Sequence, residues 1–107
     1  MKAILIDPFE KSLTTIDIAP GDQPYTLIEL HRLVGEDCLD FAYPYRGESV
    51  AVGDHSRLQE PPLPAFLLDG YKETLYGRAV VLGHSRDGKS RDTKLTVDKL
   101  SKLIEWL

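Results

Sequence analysis

Cysteine is nearly absent: Cys38 stands alone among 107 residues. That excludes an intramolecular disulfide framework and any cysteine-clustered metal site. Long apolar runs are missing too. None exceeds four residues, as in Ala79 to Leu82, against the roughly 20 that a membrane-spanning helix needs. The opening Met1-Lys2-Ala3-Ile4-Leu5-Ile6-Asp7 meets an acid too early for a signal peptide, so the expected setting is cytoplasmic, with no membrane partner. Positive charge is in deficit, with 13 Lys and Arg against 17 Asp and Glu and a net charge of −4. Such a balance opposes bulk attraction to nucleic acid or to an anionic membrane. What is present is ordinary for a folded chain: 42% hydrophobic and 28% charged residues exclude the disordered and fibrous classes. The length sets a single domain over residues 1–107.

The charge is uneven along the chain. Residues 1–60 carry 11 acids and 5 bases, whereas residues 61–107 carry 6 acids and 8 bases. Arg86, Lys89, Arg91, Lys94, Lys99 and Lys102 concentrate the positive part. A solvated loop followed by the outer face of a helix accounts for most of this pattern.

Ala3 to Ile6 is apolar on both faces, as in a strand buried on both sides. Asp7-Pro8-Phe9-Glu10-Lys11 reads as a turn, and Leu13 to Ile18 alternates with Thr14, Ile16 and Ile18 on one face, which predicts a hairpin. Pro20 to Pro24 breaks the chain and prepares a helix, with Asp22 or Gln23 as cap and Pro24 in the first turn. Leu27, Ile28, Leu30, His31 and Val34 are then expected to share its buried face, and Gly35 to end it. Leu39, Phe41, Tyr43 and Tyr45 alternate, and Arg46-Gly47 turns the chain toward Val50 and Val52. A two-residue loop would set Phe41 opposite Val52 and Tyr43 opposite Val50, a register that a bulge would shift. Pro44 cannot donate to a ladder, so this strand is expected at an edge. Pro61-Pro62-Leu63-Pro64 reads as a stiff connector, Ala65 to Leu68 as a short strand closed by Asp69-Gly70, and Leu75 to Leu82 as one central strand. Ser85 to Asp92 holds no apolar residue and must be exposed. Thr96 caps a last helix whose stripe is Val97, Leu100, Leu103, Ile104 and Leu107, with Leu95 and Leu100 as a hydrophobic staple and Trp106 packing beside it. The order predicts an α+β domain: a mostly antiparallel sheet with two helices, one central and one C-terminal, on one face.

Lys2-Ala3-Ile4-Leu5-Ile6-Asp7-Pro8, Tyr76-Gly77-Arg78-Ala79-Val80-Val81-Leu82-Gly83 and Leu95-Thr96-Val97-Asp98-Lys99-Leu100 together resemble a family of short proteins carried by phages and plasmids. The resemblance covers both ends of the chain and is thin over residues 37–64. It implies a cytoplasmic, mobile-element setting. That family has no established activity, so no functional residue carries over from it.

His55-Ser56-Arg57 and His84-Ser85-Arg86 each lie close behind a glycine that ends an apolar strand. Two such histidines suit acid–base work on a phosphodiester. However, one repeated tripeptide arises about once by chance in a chain of this size and composition, and two-histidine phosphoesterases place the hydroxyl two residues after each histidine. None of Cys38, Asp40, His31, His55 and His84 stands at a metal-ligand spacing, and Cys38 at a strand start reads as a small buried hydrophobe. Pro61 to Pro64 has the spacing of a proline-rich ligand, but no basic residue lies near it. Gly83 to Ser90 matches the spacing Gly-x-x-x-x-Gly-Lys-Ser, yet the polar Arg91-Asp92-Thr93-Lys94 follows where a phosphate loop needs a helix. No catalytic residue, metal or cofactor is therefore assigned. The leading expectation is a non-enzymatic module with a protein partner, whose interface is Phe41, Tyr43 and Tyr45 on the edge strand. The alternative is phosphate or nucleic-acid binding by Arg86, Lys89, Arg91 and Lys94. A small enzyme acting on phosphodiesters or nucleotides through His55 or His84 comes third.

Overall fold

A computed structural model describes residues 1–18, 25–36, 38–54 and 58–107. Five strands form the body of a large sheet: β1 (Lys2–Asp7), β2 (Ser12–Asp17), β3 (Leu39–Tyr45), β4 (Glu48–Gly53) and β7 (Ala79–His84). Their order is β2-β1-β7-β4-β3, all neighbours antiparallel. The two-residue β8 (Ser90–Arg91) extends the sheet by pairing with the end of β7. A smaller sheet runs β6 (Leu75–Tyr76), β5 (Ala65–Leu68), β9 (Ile104–Trp106). The helices are α1 (Tyr25–Val34) and α2 (Val97–Ser101). The expected α+β class, with a mostly antiparallel sheet, is the observed one. Among the described residues no helix is long and apolar enough to cross a membrane.

Side chains in a strand alternate between faces, and the central strands are apolar on both. Ile4, Ile6, Val50, Val52, Ala79 and Val81 point to one side and pack with Phe66, Leu68, Leu75 and Leu100. Ala3, Ala51, Val80 and Leu82 point to the other and pack with Leu30 and Val34. The large sheet is thus a middle layer, with α1 on one face and the small sheet plus α2 on the other. The helices therefore lie on opposite faces of the sheet, not on the one face expected from sequence. The double-sided apolar pattern of β1 and β7 is the physical reason, because each face needs its own cover.

Several local expectations hold. Gly35 closes α1 at φ +85°, its N–H donating to the His31 carbonyl at 2.8 Å. β3 is an edge strand, as Pro44 required. Thr96 caps α2 by accepting from the Lys99 N–H at 3.1 Å. The proposed caps of α1 at Asp22 and Gln23, and Pro24, lie outside the described residues.

Other expectations are corrected. Ile28 is 59% exposed, because Leu30, Leu33 and Val34 fill the face toward the sheet. Cys38 is exposed. The run Leu75 to Leu82 is two strands in different sheets, divided at Gly77, whose φ of +78° turns the chain from β6 into β7. The last helix ends after one turn, and Ile104–Trp106 instead pairs with β5. There Trp106 meets Phe66 edge to face at 6.2 Å, covering an apolar strand that would otherwise be a bare edge. In the β3–β4 hairpin Phe41 faces Ala51 and Ala42 faces Val50, while Tyr45 faces Glu48 around the Arg46-Gly47 turn. Tyr43 and Pro44 thus oppose Ser49 alone as a bulge, which accommodates the donor that Pro44 lacks.

Candidate functional site

The basic segment follows directly from β7. Leaving the core, the chain has only polar residues from Ser85 to Asp92 and turns back on itself. The Ser85 N–H donates to the Lys89 carbonyl at 2.9 Å, and the Gly88 N–H to the Ser85 carbonyl at 3.0 Å, with Gly88 at φ +83°. The Asp87 carboxylate accepts from the Ser85 hydroxyl and from the Lys89 N–H. The Ser85 hydrogen bond, and after it the Lys89 N–H, holds the Asp87 carboxyl below its ordinary value. The returning strand lies so close to β7 that a Cβ on Gly83 would stand 2.3 Å from the Asp92 carbonyl oxygen. Only glycine fits there.

Beyond β8 the chain is fixed by β1 and β4. The Lys2 N–H donates to the Asp92 carboxylate at 2.9 Å, and the Thr93 N–H to the Lys2 carbonyl at 2.9 Å. Glu48, only 4% exposed, then accepts through one carboxylate oxygen from the Thr93 hydroxyl, the Lys94 N–H at 3.0 Å and the Leu95 N–H at 3.3 Å. Its other oxygen is buried without a partner. The loop is therefore mobile at neither root: β7 and Glu48 fasten both.

His84, Ser85, Arg86, Asp87 and Arg91 line an open groove of about 560 Å³ at this end of the sheet. Among the described residues Arg86 and Arg91 form no ion pair, and both are exposed. The His84 Nδ1 is buried and has no hydrogen-bond partner, which leaves Nε2 as the nitrogen able to serve the groove. The Tyr43 ring meets the His84 ring edge to face, with centroids 5.4 Å apart and planes at 86°, and Tyr43 is still 63% exposed. The β3 bulge aims it there. Tyr43 on β3 thus touches His84, and His84 shares the groove with Arg86 and Arg91 of the β7–β8 hairpin. Chemically the set can hold an anion and offer a flat apolar surface beside it.

The remaining sequence candidates separate from this cluster. Lys89 and Lys94 are exposed but do not line the groove. Phe41 is half-buried on the α1 side of the sheet. Tyr45 is half-buried, and its hydroxyl donates to the Asp69 carbonyl at 2.7 Å; burial, then the neighbouring Asp69 charge, raises its hydroxyl above the ordinary value. Phe41, Tyr43 and Tyr45 therefore do not form one aromatic patch, because the bulge changes the facing between them. His55, Ser56 and Arg57 lie outside the described residues. The Ser85 hydroxyl bonds Asp87 rather than His84. Among the described residues no group of three His, Cys, Asp or Glu is placed to hold a metal ion.

Gly83 to Ser90 is a hairpin, and β8 rather than a helix follows Lys89, so the backbone lacks the geometry of a phosphate loop. Two participants escaped sequence reasoning. Glu48 could have been found from its parity with the inward-facing Val50 and Val52. The contact of Tyr43 with His84 has no local signal, since it depends on β4 pairing with β7.

Compared with known proteins, the chain matches no family model, no curated protein and no solved structure.

Proposed function

We propose that this domain is a non-enzymatic binding module that holds a phosphate-bearing ligand in the groove at the β7–β8 end of its large sheet. The observation that carries this role is that Arg86 and Arg91, in no ion pair among the described residues, line one open groove with His84. Guanidinium groups suit phosphate because their planar forks donate in pairs. The net charge of −4 confines attraction to this end of the molecule and keeps binding dependent on salt. A phage- or plasmid-borne accessory role in the cytoplasm, implied by the motif resemblance, is part of the same proposal.

The test is calorimetric titration of inorganic polyphosphate into the protein at low salt. Binding is expected for the wild type and lost in the double variant Arg86→Glu/Arg91→Glu. The variant Lys99→Glu/Lys102→Glu changes net charge equally on exposed positions of the C-terminal segment and should bind nearly as wild type. Equal losses in the two variants would reduce the effect to net charge and refute a groove.

A second role is favoured by a different observation: among the described residues the outer edge of β3 has no strand partner in the sheet. A protein partner could pair there, with Tyr43 at its centre. A pull-down with and without nuclease separates the two. A stoichiometric protein that survives nuclease and is lost with Tyr43→Ala supports the edge; its retention by that variant counts against it.

A further inference from the structure

Resting on the phosphate-binding role above, we propose that the ligand is single-stranded nucleic acid, with Tyr43 as the platform on which one base stacks and Arg86 and Arg91 as contacts to the adjoining backbone. Tyr43 is a large aromatic ring left mostly in solvent, 63% exposed. It is not loosely placed. The bulge opposite Ser49 directs it out of the ladder, and the edge-to-face contact with His84 fixes its inclination. His84 is also a wall of the groove that Arg86 and Arg91 line, so Tyr43 adjoins that groove through His84.

A simple phosphate would use the guanidinium groups and leave Tyr43 without a role. A base attached to that phosphate uses both, because every base has a π-face and stacking tolerates any sequence. The scale of the site points to a single strand. A duplex keeps its bases stacked inside and is gripped through a long track of phosphates. Here the groove offers two arginines, with Asp87 on its wall and Asp92 next in the chain, and the rest of the molecule is net acidic. An unpaired strand can splay one base onto Tyr43 and place neighbouring phosphates in the groove.

The experiment compares fluorescence anisotropy of a labelled mixed-sequence DNA strand, the same sequence as duplex, and competition by inorganic polyphosphate. The single strand is expected to bind more tightly than the duplex. Tyr43→Ala should weaken the single strand by about fivefold or more, leave polyphosphate binding unchanged and leave the salt dependence unchanged. Tyr43→Phe should retain wild-type affinity. Arg91→Gln should instead lower the slope of log affinity against log salt by about 0.7, as loss of one phosphate contact on a single strand does. With both arginines, or with Lys89 and Lys94 recruited as well, affinity should fall by about 7- to 50-fold between 50 and 200 mM salt. Polyphosphate binding that persists while Tyr43→Ala binds the strand as wild type would overturn the nucleic-acid inference and leave the phosphate role standing. Tighter binding of the duplex would overturn it as well. Failure of the wild type to bind either polymer would refute the phosphate role itself. Tyr43 is exposed, so circular dichroism of its variants should match wild type and fix any loss on the surface.

Discussion

Glu48 is the point at which the sheet holds the segment that leads into α2, and replacing it measures that hold directly. One of its oxygens accepts three donors from residues 93–95. In Glu48→Ala, Leu95 retains an acceptor, since its N–H also reaches the Thr93 hydroxyl oxygen at 3.1 Å. The Lys94 N–H and the Thr93 hydroxyl lose theirs. Each orphaned donor costs about 1–3 kcal/mol and the cavity left by the side chain adds to this, while removal of the buried carboxylate charge offsets part of it, so the expected loss is about 3–4 kcal/mol. Glu48→Gln is the informative partner. Its carbonyl oxygen can take the same three bonds, each weaker by about 1 kcal/mol without the charge. Its amide group would occupy the place of the buried, unpartnered oxygen, where no acceptor waits. Against these losses, a buried charge with no counter-ion among the described residues is removed, and that relieves several kcal/mol, about the same amount. The terms nearly cancel, and Gln should lie within about 1.5 kcal/mol of wild type. Equilibrium unfolding in urea reads both values, and melting points should fall by about 12–16 °C for Ala, at roughly 4 °C per kcal/mol in a domain of this size. An Ala variant within about 1 kcal/mol of wild type would refute the anchoring role. A Gln variant as unstable as Ala would show that charge rather than acceptor geometry does the anchoring.

Two further predictions concern the loop. Gly83→Ala places a Cβ against the backbone of Asp92, which can yield only by moving β8; a loss of about 1–3 kcal/mol is expected in thermal unfolding, together with displaced Arg91 amide resonances, and an unchanged melting point would contradict the close approach. Asp87 sets a pH dependence of the turn. Its carboxyl is held below the ordinary value, so its contribution is fully present above that value and fades as pH falls through the lowered one. The Lys89 amide shift, followed by NMR, should therefore titrate with a midpoint below that of an unstructured aspartate, and an ordinary midpoint would contradict the Ser85 and Lys89 contacts.

Much of the fold was legible because its signals are local. Gly35 ending α1, Thr96 beginning α2, Pro44 marking an edge and the polar run 85–92 each follow from the chemistry of a few neighbouring residues. The misread parts were decided at a distance. Leu103, Ile104, Trp106 and Leu107 satisfy a helical stripe and a strand alternation about equally, and β5 selected the strand by offering an apolar edge. Nothing around Tyr76-Gly77-Arg78 distinguishes one long strand from two until the second sheet exists to receive the first half. At the site, the exposed cations were legible from the missing apolar residues, but the selection of Arg86 and Arg91 over Lys89 and Lys94 was not. Nor was the membership of Tyr43, 41 positions before His84 in the chain and joined to it only through a bulge and a strand pairing.

β7 has a consequence for how the protein is made. It pairs with both β1 and β4, so it is the seam between two hairpins that are complete in themselves much earlier in the chain. Ile4 waits for Val81, and Val50 waits for the same residue. At a synthesis rate of about 5–20 residues per second, the interval between finishing β4 and finishing β7 is roughly 1.5–6 s. Throughout it, the inner edges of β1 and β4 are apolar and unpaired, a form open to pairing with other chains. The two hairpins become one sheet when the seam closes, and the groove comes into being in the same event, because the loop that bears its arginines is the continuation of that strand.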